Sequence, residues 1–179
     1  MDDSQAIIRL ADQPGDLGWI VMAHGELYAR EHGWDTTFEA LVARIVADYA
    51  VSHDSAREAA WVAEADGTRV GCIVLVTASD KTGDDKPADD KTGDDRTAQL
   101  RVLLVDPAAR GGGLGRRLVD TVIDFARDAG YERMVLWTND VLTAAARVYL
   151  KAGFVLTSAD PHHSYGADLV GQNYELKLL

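Results

Sequence analysis

The chain has 179 residues, 47% hydrophobic and 26% charged, with 18 basic against 29 acidic side chains and a formal charge of −11. That length suits one domain around one core, and the negative charge opposes direct binding to nucleic acid or an anionic membrane surface. No apolar run reaches the roughly 20 residues of a membrane span, residues 1–5 are acidic and polar rather than a basic leader, and the lone Cys72 reads as a buried, inert thiol in a cytoplasmic protein.

Taken in chain order, residues 6–10 predict a short first strand, closed by Gln13-Pro14-Gly15. Asp16 is placed to cap a helix with Leu17, Ile20, Val21, His24, Leu27 and Tyr28 on its apolar face and Gly33 as its stop. His24 on that face reads as a core histidine with its polar atoms satisfied. Thr36 and Glu39 have capping-box spacing and open a second helix carrying Phe38, Leu41, Val42, Ile45, Val46 and Tyr49 on one side. Strands near 59–64 and 68–77 are joined by the tight turn Asp66-Gly67. A low-complexity acidic insert at about 79–97 repeats Asp-Lys-Thr-Gly-Asp-Asp, at 80–85 and 90–95. It has no large apolar residue to offset its ordering entropy and lacks the ligand spacing of a calcium loop. Beyond it come a nearly continuous apolar strand at 99–105, a helix at about 113–129, a strand at 132–138, a helix at 141–151 that Asn139 or Asp140 can cap, and strands at 154–158 and 172–178 around a loop at 160–171. The order β-α-α-β-β-β-α-β-α-β-β predicts a single mixed α/β (α+β) domain over 1–179, with about seven strands flanked by about four helices.

Most chemical information lies in Val105-Asp106-Pro107-Ala108-Ala109-Arg110-Gly111-Gly112-Gly113-Leu114-Gly115-Arg116-Arg117, between a strand end and a helix start. Amides at a helix start point outward and carry the partial positive charge of the dipole. Glycines let the backbone approach an anion and adopt positive φ, and Arg110, Arg116 and Arg117 can add charge-assisted bonds to phosphate oxygens. The pattern is a pyrophosphate cradle. It is no Walker loop, which ends in Gly-Lys-Ser/Thr, and no dinucleotide fingerprint, whose Gly-x-Gly-x-x-Gly sits in a first βαβ unit.

These residues resemble the GCN5-related N-acetyltransferase (GNAT) superfamily, whose Arg/Gln-x-x-Gly-x-Gly/Ala motif is matched by Arg110-Gly111-Gly112-Gly113-Leu114-Gly115. Tyr149-Leu150-Lys151-Ala152-Gly153-Phe154 is similar to the family's Tyr-x-x-x-Gly-Phe, and the order of elements matches the GNAT-like fold from end to end. More narrowly, Leu136-Trp137-Thr138-Asn139-Asp140, His162-His163-Ser164-Tyr165-Gly166 and Gly15-Asp16-Leu17-Gly18-Trp19 look like the acetyltransferase half of MarR-GNAT fusion proteins, without the winged-helix half.

The resemblance implies transfer of an acetyl group from acetyl-CoA to a primary amine, on a small molecule or a peptide, by direct attack in a ternary complex without a metal. The alternative it leaves is a non-catalytic acyl-CoA sensor. Backbone groups of Leu103, Leu104 and Val105 would pair with the cofactor's amides, and one amide there would bond the thioester carbonyl. Arg110, Gly111, Gly112, Gly113, Leu114, Gly115 and Arg116 would hold the pyrophosphate. Tyr149 would protonate the departing thiolate, since a phenol with a pKa of about 10 stays protonated at neutral pH. Asn139 would contact the cofactor or cap the next helix. Many family members carry a glutamate base on the strand that here reads Gln99-Leu100-Arg101-Val102-Leu103, which has no carboxylate. Glu26, Glu39, His162 and His163 are the candidates, the histidines because imidazole titrates near neutrality. The expected partner is the amine acceptor; a homodimer is compatible with the sequence.

Overall fold

The structure, a computed structural model, describes residues 6–78 and 95–179. Among them the strands are β1 (Ile7–Leu10), β2 (Ala59–Ala65), β3 (Thr68–Thr77), β4 (Thr97–Val105), β5 (Arg133–Asn139), β6 (Val155–Ser164) and β7 (Ala167–Lys177). The helices are α1 (Asp16–His32), α2 (Thr36–Ser52), α3 (Leu114–Asp128) and α4 (Thr143–Ala152). All seven strands join one sheet in the order β1-β2-β3-β4-β5-β7-β6. Neighbours are antiparallel except β4 and β5, which run parallel on either side of the α3 crossover. The element order is the one the sequence predicts.

Strand alternation sorts side chains to two faces. Trp61, Ala63 and Ile73 share a core with Leu118 and Val122 of α3 and Tyr149 of α4. Their neighbours Val62 and Cys72 face the opposite way, onto Ile20 and Leu27 of α1 and Val42 and Val46 of α2. Each fully buried Leu, Ile or Val contributes about 1.5–3 kcal/mol, so the sheet is anchored on both sides. Asp16, fully buried, joins α1 to β1 and β3 by bonds of 2.7 Å to Arg9 and to Arg69.

Four local expectations are corrected. The helix α1 starts behind Gly15, which sits at φ 92° and makes no side-chain cap; Asp16 lies inside the helix and accepts from Gln13 N–H at 3.0 Å. The cap of α2 is Asp35, accepting from Thr37 N–H at 2.9 Å, so Thr36 and Glu39 form no capping box. The helix α4 starts at Thr143, which leaves Asn139 in β5 and free of any capping role. The stretch 160–171 is mostly strand: β6 and β7 form a hairpin around Tyr165-Gly166, with φ of 58° and 76°. Pro161 suggests a break, but β6 is the sheet edge, where proline is tolerated. The acidic insert lies outside the described residues up to 94, and β4 already begins at Thr97.

Candidate functional site

The sheet opens where β4 and β5 part. They pair only at Thr97↔Arg133, Ala98↔Met134 and Gln99↔Val135, although β4 runs on to Val105 and β5 to Asn139. On its other side β4 carries a bulge against β3, where the register shifts between Cys72↔Leu104 and Val74↔Arg101. Val102 sits in that bulge at φ 46°, a strained conformation for a β-branched residue. Beyond Gln99 the bulge and the parting leave Leu103 and Val105 along a slot on the open side of β4, while Leu104 is registered with Cys72 of β3. Two of their carbonyls already have partners: Leu103 O accepts from the Tyr28 hydroxyl at 3.5 Å, and Val105 O from Arg110 Nε at 3.1 Å.

At one end of the slot lies the glycine turn. Gly111 and Gly113 adopt φ of 89° and 79°, and a Cβ at Gly111, Gly112 or Gly113 would meet nothing within 4 Å. Side-chain space is therefore free there, while the conformation at 111 and 113 favours glycine. A Cβ at Gly115 would lie 3.6 Å from both Val105 and Val148, in ordinary van der Waals contact, so packing alone does not demand glycine there. The first bond inside α3 runs from Arg117 N–H to Gly113 O at 3.1 Å. The amides of Leu114, Gly115 and Arg116 therefore have no acceptor within the helix and point outward from its positive end.

The arginines are placed differently from the sequence-based expectation. Arg110 forms a two-pronged pair with Glu31 at the end of α1, at 2.8 and 3.1 Å. Arg116 is bonded to Asp120 at 2.7 Å and to the Lys151 carbonyl at 2.7 Å. Arg117 donates to Ala6 O at 2.8 Å, away from the turn. Main-chain N–H groups thus carry the turn's uncommitted donor capacity, and no arginine of the motif reaches over it unpaired.

At the other end is a cavity of about 90 Å³ between α1, α2, the β4 bulge and the end of β5. Tyr149 reaches its wall from α4, buried and seated against Phe154 and Tyr174 with ring centroids 5.8 and 6.1 Å away. Burial raises its pKa above the ordinary phenol value, with Tyr28 and Tyr174 adding to the effect, so it stays protonated. Asn139, also on the wall, accepts a hydrogen bond at Oδ1 from His162 Nε2 at 2.8 Å, and His162 Nδ1 meets Ser164 Oγ at 2.9 Å. His163, the next residue along the strand, faces the other way and pairs with Asp168 in solvent at 2.7 Å. Glu26 and Glu39 are exposed and take no part in the wall. Of the proposed bases only His162 is tied to a residue of the cavity. Among the described residues no cluster of His, Cys, Asp and Glu could hold a metal ion, and no helix is long and apolar enough to cross a membrane.

The sequence reading gives no site role to several wall residues: Trp34, Phe38, Trp137, Tyr165 and, above all, His24. His24 is buried, with Nδ1 2.8 Å from Ile20 O and its ring stacked on Tyr28. Its Nε2 is the one fully buried side-chain nitrogen or oxygen among the described residues without a hydrogen-bond partner. Burial lowers its pKa to about 4, opposed by the Ile20 and Val102 backbone. The only sequence signal was a polar residue on an apolar helix face.

The site is thus framed by a parted parallel strand pair, a bulge beside it and a helix that starts at the parting with its first amides pointing outward. The Acetyltransferase (GNAT) family matches residues 17–154, and the chain belongs to that family. It is 36% identical to N-acetyltransferase 8B of Homo sapiens over 103 residues, 58% of this chain and 41% of that protein. It is 34% identical to N-acetyltransferase 8F1 of Rattus norvegicus over 112 residues, 63% of this chain and 46% of that one. The chain thus spans less than half the length of these relatives. Its fold is that of yncA from Salmonella typhimurium, solved with its cofactor acetyl-CoA, at a TM-score of 0.70 and 24% identity over 98% of this chain and 95% of that one.

Proposed function

We propose that the chain is an acetyl-CoA-dependent N-acetyltransferase acting on a primary amine. The observation that carries this reading is the slot between β4 and β5, which runs from the outward amides of α3 to the cavity below Tyr149. The donor's parts fit these features: an anionic diphosphate suits the α3 amides, and a chain of amides suits the free edge of β4. When bound, it supplies an acetyl thioester. The amides of residues 111–116 hold the diphosphate, while Arg110 and Arg116 shape the turn through Glu31 and Asp120. The β4 edge at Leu103, Leu104 and Val105 aligns the arm and provides an amide for the thioester oxygen. The buried phenol of Tyr149 delivers a proton to the leaving sulfur. His162 and Asn139, bonded to each other, order the acceptor end of β5.

The cavity wall has no Asp or Glu among its described residues, which also suits a module that binds acyl-CoA without turning it over. A kinship with MarR-GNAT fusion proteins rests on the sequence motifs alone. Acetyl-CoA offered with a panel of primary amines, followed by release of free thiol, separates the enzyme from the sensor. Amine-dependent thiol release is expected. Tight CoA binding with thiol release no faster than spontaneous hydrolysis would leave only the sensor.

A further inference from the structure

We propose that the Tyr28 hydroxyl is a second hydrogen-bond donor to the thioester oxygen, working beside the β4 amide. Two tyrosines then divide the reacting bond, Tyr28 serving its oxygen and Tyr149 its sulfur. This role rests on the acetyltransferase reading above and adds a catalytic residue to it.

The two phenols come from opposite faces of the sheet. Tyr149 of α4 belongs to the core that α3 forms with the strands, whereas Tyr28 of α1 packs with α2 on the other face. A fully paired sheet would keep them apart; the parting of β4 from β5 lets both line one cavity. They lie close enough that Tyr28 is among the groups raising the Tyr149 pKa. Tyr28 approaches from the β4 side. Its hydroxyl donates to Leu103 O, on the open edge where the reading above places the thioester oxygen. At 3.5 Å that bond is well beyond the roughly 2.7–2.8 Å usual for O–H···O, so the proton is weakly held and loses little by turning to a stronger acceptor. The thioester oxygen becomes one as the amine attacks, because a hydrogen bond to a charged oxygen is roughly twice as strong as a neutral one. Such a bond strengthens only as the transition state forms, which is what accelerates the step.

The ring is fixed for that task. It stacks on His24 with the planes 3° apart and lies 4.9 Å from Phe38 and 5.2 Å from Trp34, centroid to centroid. A donor held in this way needs no reorganisation when the charge appears. Desolvation raises the pKa of the phenol, which therefore keeps its proton at neutral pH. Tyr28 is nonetheless only half-buried and borders the cavity, so it is not sealed within the core. The hydroxyl donates without giving up its proton; the proton that reaches the leaving sulfur is that of Tyr149.

The test uses acetyl-CoA labelled with ¹³C at its carbonyl and two changes at one position of the full chain. Tyr28→Phe keeps the ring and deletes the donor, while Tyr28→3-fluorotyrosine keeps the hydroxyl and makes it more acidic. The carbonyl resonance of bound acetyl-CoA is expected to move towards its free value in Tyr28→Phe and away from it in Tyr28→3-fluorotyrosine, at unchanged CoA affinity. With the amine that releases thiol fastest, kcat is expected to fall about a hundredfold in Tyr28→Phe. A carbonyl resonance that neither substitution moves, or an unchanged kcat in Tyr28→Phe, overturns the assignment. If Tyr28→Phe does not fold, the fluorinated chain decides. A parent chain that binds acetyl-CoA but releases no thiol with any amine strikes the enzyme reading, while the carbonyl resonance still decides whether Tyr28 bonds the thioester. A parent chain that calorimetry shows not to bind acetyl-CoA overturns both.

Discussion

The two ends of the β4 slot are built on opposite plans. The turn end is local: a dozen consecutive residues supply its glycines, its helix start and its outward amides, and side chains matter there chiefly by being absent. The cavity end is assembled from α1, α2, β4, β5, α4 and the β6–β7 hairpin, and it works through side chains such as Tyr149, His24 and Trp34. A main-chain anion site recognises a shape shared by many ligands, whereas a side-chain cavity can be respecified one residue at a time. Donor binding and acceptor choice are thereby physically separable.

Substitutions can break that separation or sharpen it. The largest expected effect is at the turn. Gly113→Glu places an L-residue at φ 79°, costing about 1–2 kcal/mol, and sets a negative charge where the diphosphate would lie. CoA affinity measured by calorimetry should fall about a hundredfold or more, with amine binding at the cavity unaffected. Tyr149→Phe should do the reverse, lowering kcat about a hundredfold at unchanged CoA affinity; equal turnover would remove Tyr149 from the chemistry. Arg110→Ala should cost less than about tenfold in CoA affinity, because its guanidinium is engaged by Glu31 and partly exposed. Glu31→Gln should reproduce part of that loss, and the double variant should fall short of the sum. A larger loss in Arg110→Ala alone would return this arginine to the phosphate.

The smallest effect on either end should come from Asp16→Asn, which acts on stability. The Asp16 carboxyl is lowered from 3.8 to about 2, first by its hydrogen bond to Arg9 and then, against the cost of burial, by Arg69. Its contribution, about 2 kcal/mol, is therefore fully present above the unfolded value near 3.8 and disappears as pH falls towards 2. The melting temperature of the parent chain should drop over that window, and Asp16→Asn should melt lower at pH 7 with a flatter acid profile. Identical acid profiles would show that the Arg9–Asp16–Arg69 cluster is not what acid disrupts.

The same contrast sets what the sequence discloses. The turn is legible because its chemistry follows from spacing within one segment, and the strand–helix order is legible because each element has its own periodicity and stop. The expected loop at 160–171 is mostly strand, and Pro161 fits within β6 because that strand is the sheet edge. The pairing of Arg110 is illegible because Glu31 lies 79 residues away, and so is the bond of Arg116 to the Lys151 carbonyl, 35 residues on; only Asp120, one turn along α3, is a local partner. His24 is hidden for a different reason. A buried histidine on an apolar face gives no sign in sequence of what its second nitrogen meets, since that depends on how distant strands pack against the helix.

The central claim is that main-chain amides at the start of α3 hold the diphosphate of CoA. Amide chemical shifts recorded with CoA, and with pantetheine, which lacks the diphosphate, test it most directly. The expected result is large shifts at residues 111–115 with CoA alone, and shifts at Leu103, Leu104 and Val105 with both. Saturation with CoA that leaves 111–115 unmoved would contradict it.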